Sequence, residues 1–538
     1  MRIAIAQLPF PVGAIDTNTQ RIIDTTRRAR DELGAELVVF PEMAVTGYPP
    51  DDLLLRDDFL GAVERALAEI AAACTGITAL VGAPLRRHGG VRNAAVALAD
   101  GVEVATAYKR RLPSYSVFDD NRHFVAGSEP CLLDIGGRRL GVTICEDIWA
   151  AEPAAEAAAA GAELLVSVNA SPFHVGKPAE REAAAAARVA ETGVPLLYAN
   201  LVGGHDEVVY DGGSFAVASD GATAIRMPAL TDGLYAVDWQ GGALDGPSAE
   251  RAEGPAAVYQ AVVRATADYV RGNGFSGVVL GLSGGVDSAL TAAVAADALG
   301  SDQVLAVMMP TRHTAERSLA DARATAEALG VAYRTIPIEP LFTAYEQALA
   351  PVLGGREADA TEENIQARIR GNCLMALSNK ESLMLLAPGN KSELAVGYAT
   401  LYGDMCGGFA PLKDVYKTDV YRLAEYRNGL GPAVPAAVME REPTAELRAG
   451  QRDQDTLPPY PALDAVLRQY LEEEAAESEI RVAGLEEAEL CRVIRLLYRN
   501  EYKRRQAAPG VKVTRRAFGR DRRYPITSGW SGCQGCSR

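Results

Sequence analysis

The sequence lacks any apolar run long enough to span a membrane, and its start, MRIAIAQLPF, lacks the basic-then-apolar pattern of a secretory signal. It also has fewer basic than acidic residues, since 54 Lys and Arg stand against 70 Asp and Glu, which gives a net charge of −16. That charge argues against a nucleic-acid scaffold. We therefore expect a large soluble enzyme that acts on small molecules, with no nucleic-acid or membrane partner.

Cysteine is scarce, with eight residues that lie mostly in apolar runs. This distribution does not build a disulfide scaffold, and it predicts reduced thiols in a cytoplasmic protein. Cys533 and Cys536 form a CxxC at the C-terminal end. A zinc site needs two further ligands, and no paired motif supplies them. We predict that this end is a disordered or incidental tail.

The length of 538 residues predicts two or more domains. Strand-like runs such as RIAIAQL, LVVFPE and LLVSVNAS alternate with alanine-rich helical runs throughout, which indicates an α/β protein. Residues 240–254 are rich in Gly and in small and charged residues, as linkers are. We therefore predict one domain over residues 1–242, a linker over 243–254 and a second domain over 255–538.

The run LGLSGGVDSA, residues 280–289, is the most informative in the chain. An apolar strand enters a Ser-Gly-Gly turn, and a helical run follows. Free N–H groups at a helix start bind anions, and glycine lets the backbone approach a ligand closely. Asp287 would repel a phosphate, so it is better suited to hold magnesium beside one. The run is not a Walker sequence, and it resembles the SGGxDS pyrophosphate loop of ATP-pyrophosphatase synthetases.

Three polar residues in the first half follow apolar strands: Glu42 in VVFPEM, Lys109 in AYKRRLP and Cys145 in GVTICEDIW. Ligand chemistry in α/β folds gathers at the carboxyl ends of strands, so the three side chains are expected to converge. A carboxylate can take the proton of a thiol nucleophile, and a lysine can stabilise an oxyanion, as can the backbone N–H of Glu146. Taken singly, each residue also fits a structural role.

Together, these three runs resemble the nitrilase, or carbon–nitrogen hydrolase, superfamily. The resemblance implies a four-layer αββα sandwich that hydrolyses amides through a cysteine acyl intermediate. Further runs, among them NASPFHVGK, DEVVYDGGSF, PGNKSELAVGYATLYGDMCGGFAPLKDVYKTDVYRLA and EYKRRQAAPG, extend the resemblance to nearly the whole chain, and they resemble the glutamine-dependent NAD+ synthetase family. The second domain is then expected to be a Rossmann-like, doubly wound parallel-sheet ATP-pyrophosphatase.

The resemblance implies a ligase for the final step of NAD+ biosynthesis. Glutamine is hydrolysed at Cys145, and the ammonia reaches the second site. There ATP adenylates the carboxylate of deamido-NAD+, and ammonia displaces AMP to give NAD+, with pyrophosphate and glutamate as the other products. ATP is a substrate and Mg²⁺ a cofactor. The synthetase half of this family typically pairs with itself, so a homodimer or larger homo-oligomer is expected.

The family motifs also imply binding residues. Those expected for glutamine are Tyr115, Ser171 and Lys177, and those for ATP are Leu282, Ser283, Gly284, Gly285, Val286, Asp287, Ser288, Ala289, Pro388 and Lys417. Those expected for deamido-NAD+ are Asn364, Arg368, Glu393 and Lys503, with Asp287 and Glu393 on magnesium. Asn364 and Arg368 are four residues apart, so one helix presents both on one face.

Three positions depart from the family pattern. Pro388 stands where a threonine usually contacts ATP, so a hydroxyl is missing there. Asp120 stands where a longer glutamate is usual, which puts the reach of this carboxylate in doubt. His205 stands where glutamine is common.

Three other functions stay open. One is a different amide-forming ATP-pyrophosphatase, although those carry other glutaminases. Another is a stand-alone amidase whose second half senses nucleotide, which intact Asp287, Glu393 and Lys417 argue against. The third is a sulfur-transfer enzyme that uses the CxxC.

Overall fold

The computed structural model describes residues 1–87, 89–448, 450–530 and 532, so Cys533 and Cys536 of the predicted tail lie outside the described residues. The chain forms two compact units, Met1–Glu253 and Gly254–Arg538. The domain boundaries at 242 and 255 stay a prediction. Residues Ala243–Asp245 of the proposed linker form a strand that pairs within the first unit. None of the helices in the described ranges has the length and apolar character needed to cross a bilayer.

The first unit contains two large sheets. Its strands are β1 (Arg2–Gln7), β2 (Leu37–Val39), β3 (Thr78–Arg87), β4 (Gly90–Ala99), β5 (Val102–Tyr108), β6 (Cys131–Ile135), β7 (Arg138–Ile144), β8 (Leu164–Asn169), β9 (Leu196–Asn200), β10 (Val202–His205), β11 (Val208–Asp211), β12 (Phe215–Val217), β13 (Thr223–Arg226), β14 (Gly233–Gln240) and β15 (Ala243–Asp245). One sheet has the order β15-β14-β1-β2-β3-β4-β5, and the other has the order β13-β12-β9-β8-β7-β6. Strands β10 and β11 form a separate pair.

Four helices accompany these sheets: α1 (Ile15–Asp31), α2 (Asp57–Ala73), α3 (Ala151–Ala159) and α4 (Lys177–Thr192). Alternate residues of β1, such as Ile3 and Ile5, pack against β7 and β8 of the other sheet. Ala4 and Ala6 of β1 belong to the core beneath α1 and α2, and Ala185 and Val189 of α4 pack on β8 and β9. This layering confirms the predicted αββα sandwich. Strand β8, LLVSVN, is buried at every residue because both of its faces are covered.

The second unit is built on a parallel sheet with the order β18-β17-β16-β19. The strands are β16 (Val278–Gly281), β17 (Val304–Met308), β18 (Ala332–Thr335) and β19 (Met384–Leu386). The helices are α5 (Gly254–Gly272), α6 (Val286–Leu299), α7 (Glu316–Leu329), α8 (Glu339–Leu353), α9 (Ala360–Glu381), α10 (Lys391–Val396), α11 (Lys417–Gly429), α12 (Ala436–Met439), α13 (Tyr460–Leu471), α14 (Glu487–Arg499) and α15 (Glu501–Arg504). This unit confirms the predicted α/β class of the second half.

Two groups of helices pack against this sheet. Helix α6 is buried along most of its length and contacts β16, β17, α5 and α11. Helices α8 and α9 pack on the sheet through Phe342, Ile369 and Leu374. The loop between β16 and α6 therefore lies at the carboxyl edge of the sheet, where α/β folds bind ligands.

The segment that follows α15 returns to α10 through a buried charge cluster. The Lys391 ammonium contacts Asp414 at 2.9 Å, the Thr514 hydroxyl at 2.6 Å and the Arg516 carbonyl at 2.7 Å. The Asp414 carboxylate also accepts the backbone N–H groups of Val513 and Thr514 at 2.8 and 2.7 Å. Because a buried lysine is stable only when its charge is paired, this cluster fixes α10 from behind.

Candidate active sites

Glu42, Lys109 and Cys145 each follow the end of a strand of the first unit, as predicted, and all three are buried. The Lys109 ammonium lies 2.8 Å from Glu42 Oε1 and 2.7 Å from Asp120 Oδ2. Asp120 thus reaches the lysine despite its shorter side chain. Tyr48 donates its hydroxyl to Asp120 at 2.9 Å and supports this carboxylate from behind.

Two further donors hold Glu42. The Asn93 amide donates to Glu42 Oε1 at 2.7 Å, and the backbone N–H of Ala170 donates to Oε2 at 3.0 Å. The N–H of Lys109 in turn donates to the Asn93 carbonyl at 2.8 Å. Because these partners come from β4 and from the loop after β8, the sandwich core fixes the carboxylate in one orientation.

Cys145 follows β7 with φ of 45°, a left-handed conformation that non-glycine residues adopt rarely. Such conformations cluster at active sites. Burial and the Glu42 carboxylate raise the pKa of the Cys145 thiol well above its usual value, and Lys109 only partly opposes them. Burial also disfavours the Lys109 cation, but Asp120 and Glu42 outweigh this effect and raise the pKa of Lys109. The resting pair is therefore a neutral thiol beside a charged ammonium.

Asp147 connects the cysteine loop to the lysine loop. Its carboxylate accepts the backbone N–H groups of Arg110 at 2.9 Å, Arg111 at 2.8 Å and Ile144 at 3.0 Å. The residues beside Lys109 and beside Cys145 are thus held together by one buried acid. The sequence analysis missed Asp147, although its place in the run CEDIW is a usable signal.

The three residues expected to bind glutamine have separate contacts. Tyr115 donates its hydroxyl to the Glu146 carboxylate at 2.9 Å. The Lys177 ammonium lies 3.9 Å from the centre of the Trp149 ring, and burial lowers its pKa. The Ser171 hydroxyl accepts Arg181 Nε at 3.0 Å. Glu146 and Trp149, which contact two of these residues, were not predicted as binding residues.

The second site is a cavity of about 280 Å³ in the second unit. Several of the predicted binding residues line it: Leu282, Ser283, Gly285, Val286, Asp287, Ser288, Pro388, Glu393 and Lys417. Gly284, Ala289, Asn364, Arg368 and Lys503 do not appear in its lining. Gly284 has φ of 85°, and a Cβ there would lie 2.5 Å from the Ser318 carbonyl, so only glycine fits this turn.

Ser283 and Ser288 shape the loop from within. The Ser288 hydroxyl accepts the backbone N–H of Ser283 at 3.2 Å and donates to the Gly285 carbonyl at 3.0 Å. The Gly285 N–H donates to Ser283 Oγ at 3.3 Å. The loop is therefore preorganised before any ligand binds.

Asp287, Glu393 and Lys417 meet at the floor of the cavity. The Lys417 ammonium hydrogen-bonds to Asp287 and lies 3.1 Å from Glu393 Oε1. Asn390 caps α10 by accepting the Glu393 N–H at 3.0 Å, and it donates to Asp287 Oδ1 at 2.9 Å. Burial raises the pKa of Glu393 to about 7, Lys417 opposes the shift, and Asp287 adds to it.

The two carboxylates fit a magnesium ion. Mg²⁺ is usually held by one or two protein carboxylates together with substrate phosphates. Asp287 and Glu393 supply two such oxygen ligands beside the phosphate loop. Within the described ranges, no group of three His, Cys, Asp or Glu side chains forms a fuller metal cage. Asp453, a third acid of the cavity, accepts the hydroxyls of Tyr398 at 3.1 Å and Tyr460 at 2.8 Å.

Glu393, one of the four residues expected for deamido-NAD+, lines this cavity. The other three contact the segment 397–401 next to it. Asn364 and Arg368 share α9, as predicted. Asn364 Oδ1 accepts the Thr400 hydroxyl at 2.7 Å, and Arg368 Nε donates to the Leu401 carbonyl at 3.2 Å. Lys503 donates to the carbonyls of Gly397 and Ala399 at 2.8 Å, and burial, with Arg368 nearby, lowers its pKa.

One surface of the cavity was not predicted. Residues from the end of α12 and from the loop that follows it line this surface: Val438, Arg441, Glu442, Pro443, Thr444, Ala445, Glu446 and Leu447. Arg441 and Glu446 form an ion pair, and both hydrogen-bond to the Ser318 hydroxyl at the start of α7. The Pro-rich and polar composition of residues 442–460 is typical of a loop. Nothing in that composition indicates that the segment covers a site.

Comparisons with known proteins match each half of the chain to a different family. Residues 2–243 match the Carbon-nitrogen hydrolase family, and residues 258–507 match the NAD synthase family. The fold and the two sites thus define a two-part enzyme, an amide hydrolase joined to an NAD synthase.

Whole-chain relatives give the family. The chain is 50% identical to the glutamine-dependent NAD(+) synthetase of Xanthomonas campestris, with 99% of this chain and 98% of the relative covered. It is 45% identical to that of Acinetobacter baylyi, with 98% of each covered. The chain belongs to the glutamine-dependent NAD(+) synthetase family.

Solved structures support the same assignment. The synthetase from Acinetobacter baumannii in complex with adenosine diphosphate is 41% identical, covers 99% of each chain and has a TM-score of 0.80. The synthetase from Cytophaga hutchinsonii, 23% identical with 98% of each chain covered, has a TM-score of 0.84 and shares the fold.

Proposed function

We propose that this chain is a glutamine-hydrolysing ligase that amidates deamido-NAD+ to NAD+ with ATP, the final step of NAD+ biosynthesis. The observation that carries the proposal is the presence of both sites in one chain that aligns over 99% of its length with such a synthetase. An amide hydrolase alone would not need the preorganised loop over 282–288 beside two acids.

In the glutaminase reaction, Glu42 takes the proton of the Cys145 thiol as its sulfur attacks the glutamine amide carbon. Lys109 and the Glu146 backbone N–H stabilise the oxyanion. Ammonia leaves with the proton returned by Glu42, and a water activated by Glu42 then hydrolyses the thioester to glutamate. Because burial raises the pKa of Cys145, the thiol needs such a base at neutral pH.

Substrate glutamine has two charged groups that must be bound at this site. We assign its α-carboxylate to Lys177, whose ammonium otherwise lies on the Trp149 ring. We assign Tyr115 and Ser171 to the same glutamine-binding region as Lys177. The acid near the second charged group, the α-ammonium of glutamine, is Glu146, whose carboxylate is partly buried beside Tyr115.

In the synthetase reaction, the carboxylate of deamido-NAD+ attacks the α-phosphorus of ATP, and pyrophosphate leaves. The loop over 282–289 and Lys417 bind the phosphates, and Pro388 borders the nucleotide. Asp287 and Glu393 would hold Mg²⁺, which screens the phosphate charges when bound. Ammonia then attacks the adenylated carboxyl carbon and releases AMP. Asn364, Arg368, Glu393 and Lys503 are assigned to the dinucleotide.

The deciding experiment follows NAD+ formation by purified protein supplied with glutamine, ATP, magnesium and deamido-NAD+. NAD+, AMP and pyrophosphate should form in equal amounts, and omission of any one substrate should stop the reaction. Glutamine hydrolysis with no NAD+ under any condition would instead support the stand-alone amidase.

Two further parts of the proposal concern assembly and location. We propose a homodimer or larger homo-oligomer, which sedimentation of the purified chain would test. We also propose that the enzyme works in the cytoplasm, because its substrates ATP and glutamine are abundant there. Cell fractionation with an antibody to the chain would test the location.

A further inference from the structure

Three cationic side chains of the described residues line the synthetase cavity, and two of them are already neutralised. Lys417 is paired with Asp287 and Glu393, and Arg441 is paired with Glu446. The third cation, Arg370, has no ion pair to an acid within the described part of the chain. Among the described residues of the cavity lining, Arg370 is therefore the one cation that no carboxylate pairs directly.

Among the residues that the structure describes, one hydrogen bond holds the Arg370 side chain. It lies on α9, and its Nε donates to the Met309 carbonyl at 3.1 Å, just beyond the end of β17. This bond leaves the two terminal nitrogens of the guanidinium without an acceptor among the described residues. Burial lowers the pKa of Arg370 to about 10, and the Glu446 carboxylate opposes this shift, so the group stays charged at neutral pH.

A half-buried cation whose N–H donors lack acceptors costs free energy unless a ligand supplies those acceptors. The ligand expected in this cavity is ATP, whose triphosphate is strongly anionic. The planar fork of a guanidinium matches phosphate oxygens well. Lys417 cannot supply the same net attraction, because two carboxylates share its charge.

Resting on the proposed function, we propose that Arg370 is a further nucleotide-binding residue, which hydrogen-bonds through its terminal nitrogens to a phosphate of ATP. The anchor on Met309 sets the orientation of the fork before the nucleotide enters. The adenosine portion of the nucleotide is not its ligand.

The test compares binding of Mg–ATP and of adenosine, which lacks phosphate, to the full-length chain by calorimetry. Arg370→Met, which keeps an unbranched apolar stem and removes the charge and the N–H donors, should weaken ATP binding at least about 30-fold and leave adenosine binding within about twofold. Arg370→Lys, which keeps the charge and loses the fork, should show an intermediate loss. Lys380→Met, at an exposed position of the same helix, is the matched control and should change neither ligand.

Equal losses for ATP and adenosine in Arg370→Met would show a contact to the nucleoside or a general distortion and would overturn the proposal. Unchanged ATP binding would overturn it as well. If Arg370→Met does not fold, the same comparison with Arg370→Lys decides. An unchanged ATP affinity in Arg370→Lys would exclude hydrogen bonding of the guanidinium fork to a phosphate. Failure of the wild-type chain to bind ATP at all would overturn the proposed function together with this inference.

Discussion

Replacement of Glu393 by glutamine should stabilise the ligand-free synthetase unit at alkaline pH while it abolishes NAD+ synthesis. Glu393 is a buried acid whose pKa rises to about 7, because burial outweighs the stabilising effect of Lys417. Glutamine has the same shape and carries no charge. It removes the unfavourable ionisation and, with it, the proposed metal ligand.

The sign follows from proton binding. Folded Glu393 holds its proton more tightly than the unfolded residue, whose pKa is 4.5. Stability therefore falls as the pH rises from 4.5 to 7, and the full penalty is present above pH 7. The folded and unfolded pKa values of Glu393 differ by about 2.5, which corresponds to a loss of about 3 kcal/mol in the free energy of unfolding, since one pKa unit is worth about 1.4 kcal/mol. The penalty should shrink to below about 1 kcal/mol at pH 5.

Thermal unfolding without nucleotide or metal measures this effect, with hydrogen exchange of Lys391–Val396 to identify the synthetase transition. At about 2 °C per kcal/mol for a unit of this size, Glu393→Gln should raise the Tm by about 6 °C at pH 8 and by little at pH 5. Mg–ATP should stabilise the wild type and so reduce the difference in Tm between the two proteins, because it binds the site in which Glu393 is ionised.

The matched control is Glu425→Gln, at an exposed position of α11, which makes the same change in formal charge. It should leave the Tm unchanged at both pH values. A Glu393→Gln chain that is no more stable than wild type at pH 8, or one whose gain does not depend on pH, would refute the reasoning.

Three further predictions concern the two reactions. Cys145→Ala should abolish NAD+ formation from glutamine and leave formation from ammonium chloride largely intact, because only the thioester step is lost; retained glutamine use would contradict the assignment. Asp287→Ala should stop synthesis from either nitrogen source while glutamine hydrolysis, measured as glutamate release, continues; normal ammonia-driven synthesis would exclude its role. Pro388→Thr should lower the KM for ATP by the equivalent of about 0.5–1.5 kcal/mol, one hydrogen bond, and an unchanged KM would mean that the site is built around proline.

The motifs with local signals could be predicted from sequence. The phosphate loop combines a strand, a Gly-Gly turn and a helix start in ten consecutive residues, and Asn390 has the side chain that caps a helix. The αββα layering, by contrast, came from a family resemblance, since apolar runs alone do not specify how two sheets stack.

The supporting residues could not be predicted, because their roles depend on distant partners. Asn93 lies in the middle of a strand, and only the pairing of β4 with β5 brings it beside Lys109. Arg370 is two residues from Arg368 on the same helix, and its position in the cavity depends on the packing of α9 against β16 and β19. The composition of residues 442–460 favours a loop, but it carries no information on the surface that this loop covers.

The charge cluster around Lys391 has a consequence for the order in which the enzyme becomes competent on the ribosome. The contacts described above for the glutaminase site involve residues of the first unit, which ends at Glu253. Helix α10, which holds Asn390 against Asp287, is instead fixed by residues 513–516. At about 5–20 residues per second, roughly 13 to 50 seconds of translation separate the two events. A nascent chain stalled in this interval has a complete glutaminase site and an unfinished synthetase site, so it is expected to consume glutamine without making NAD+.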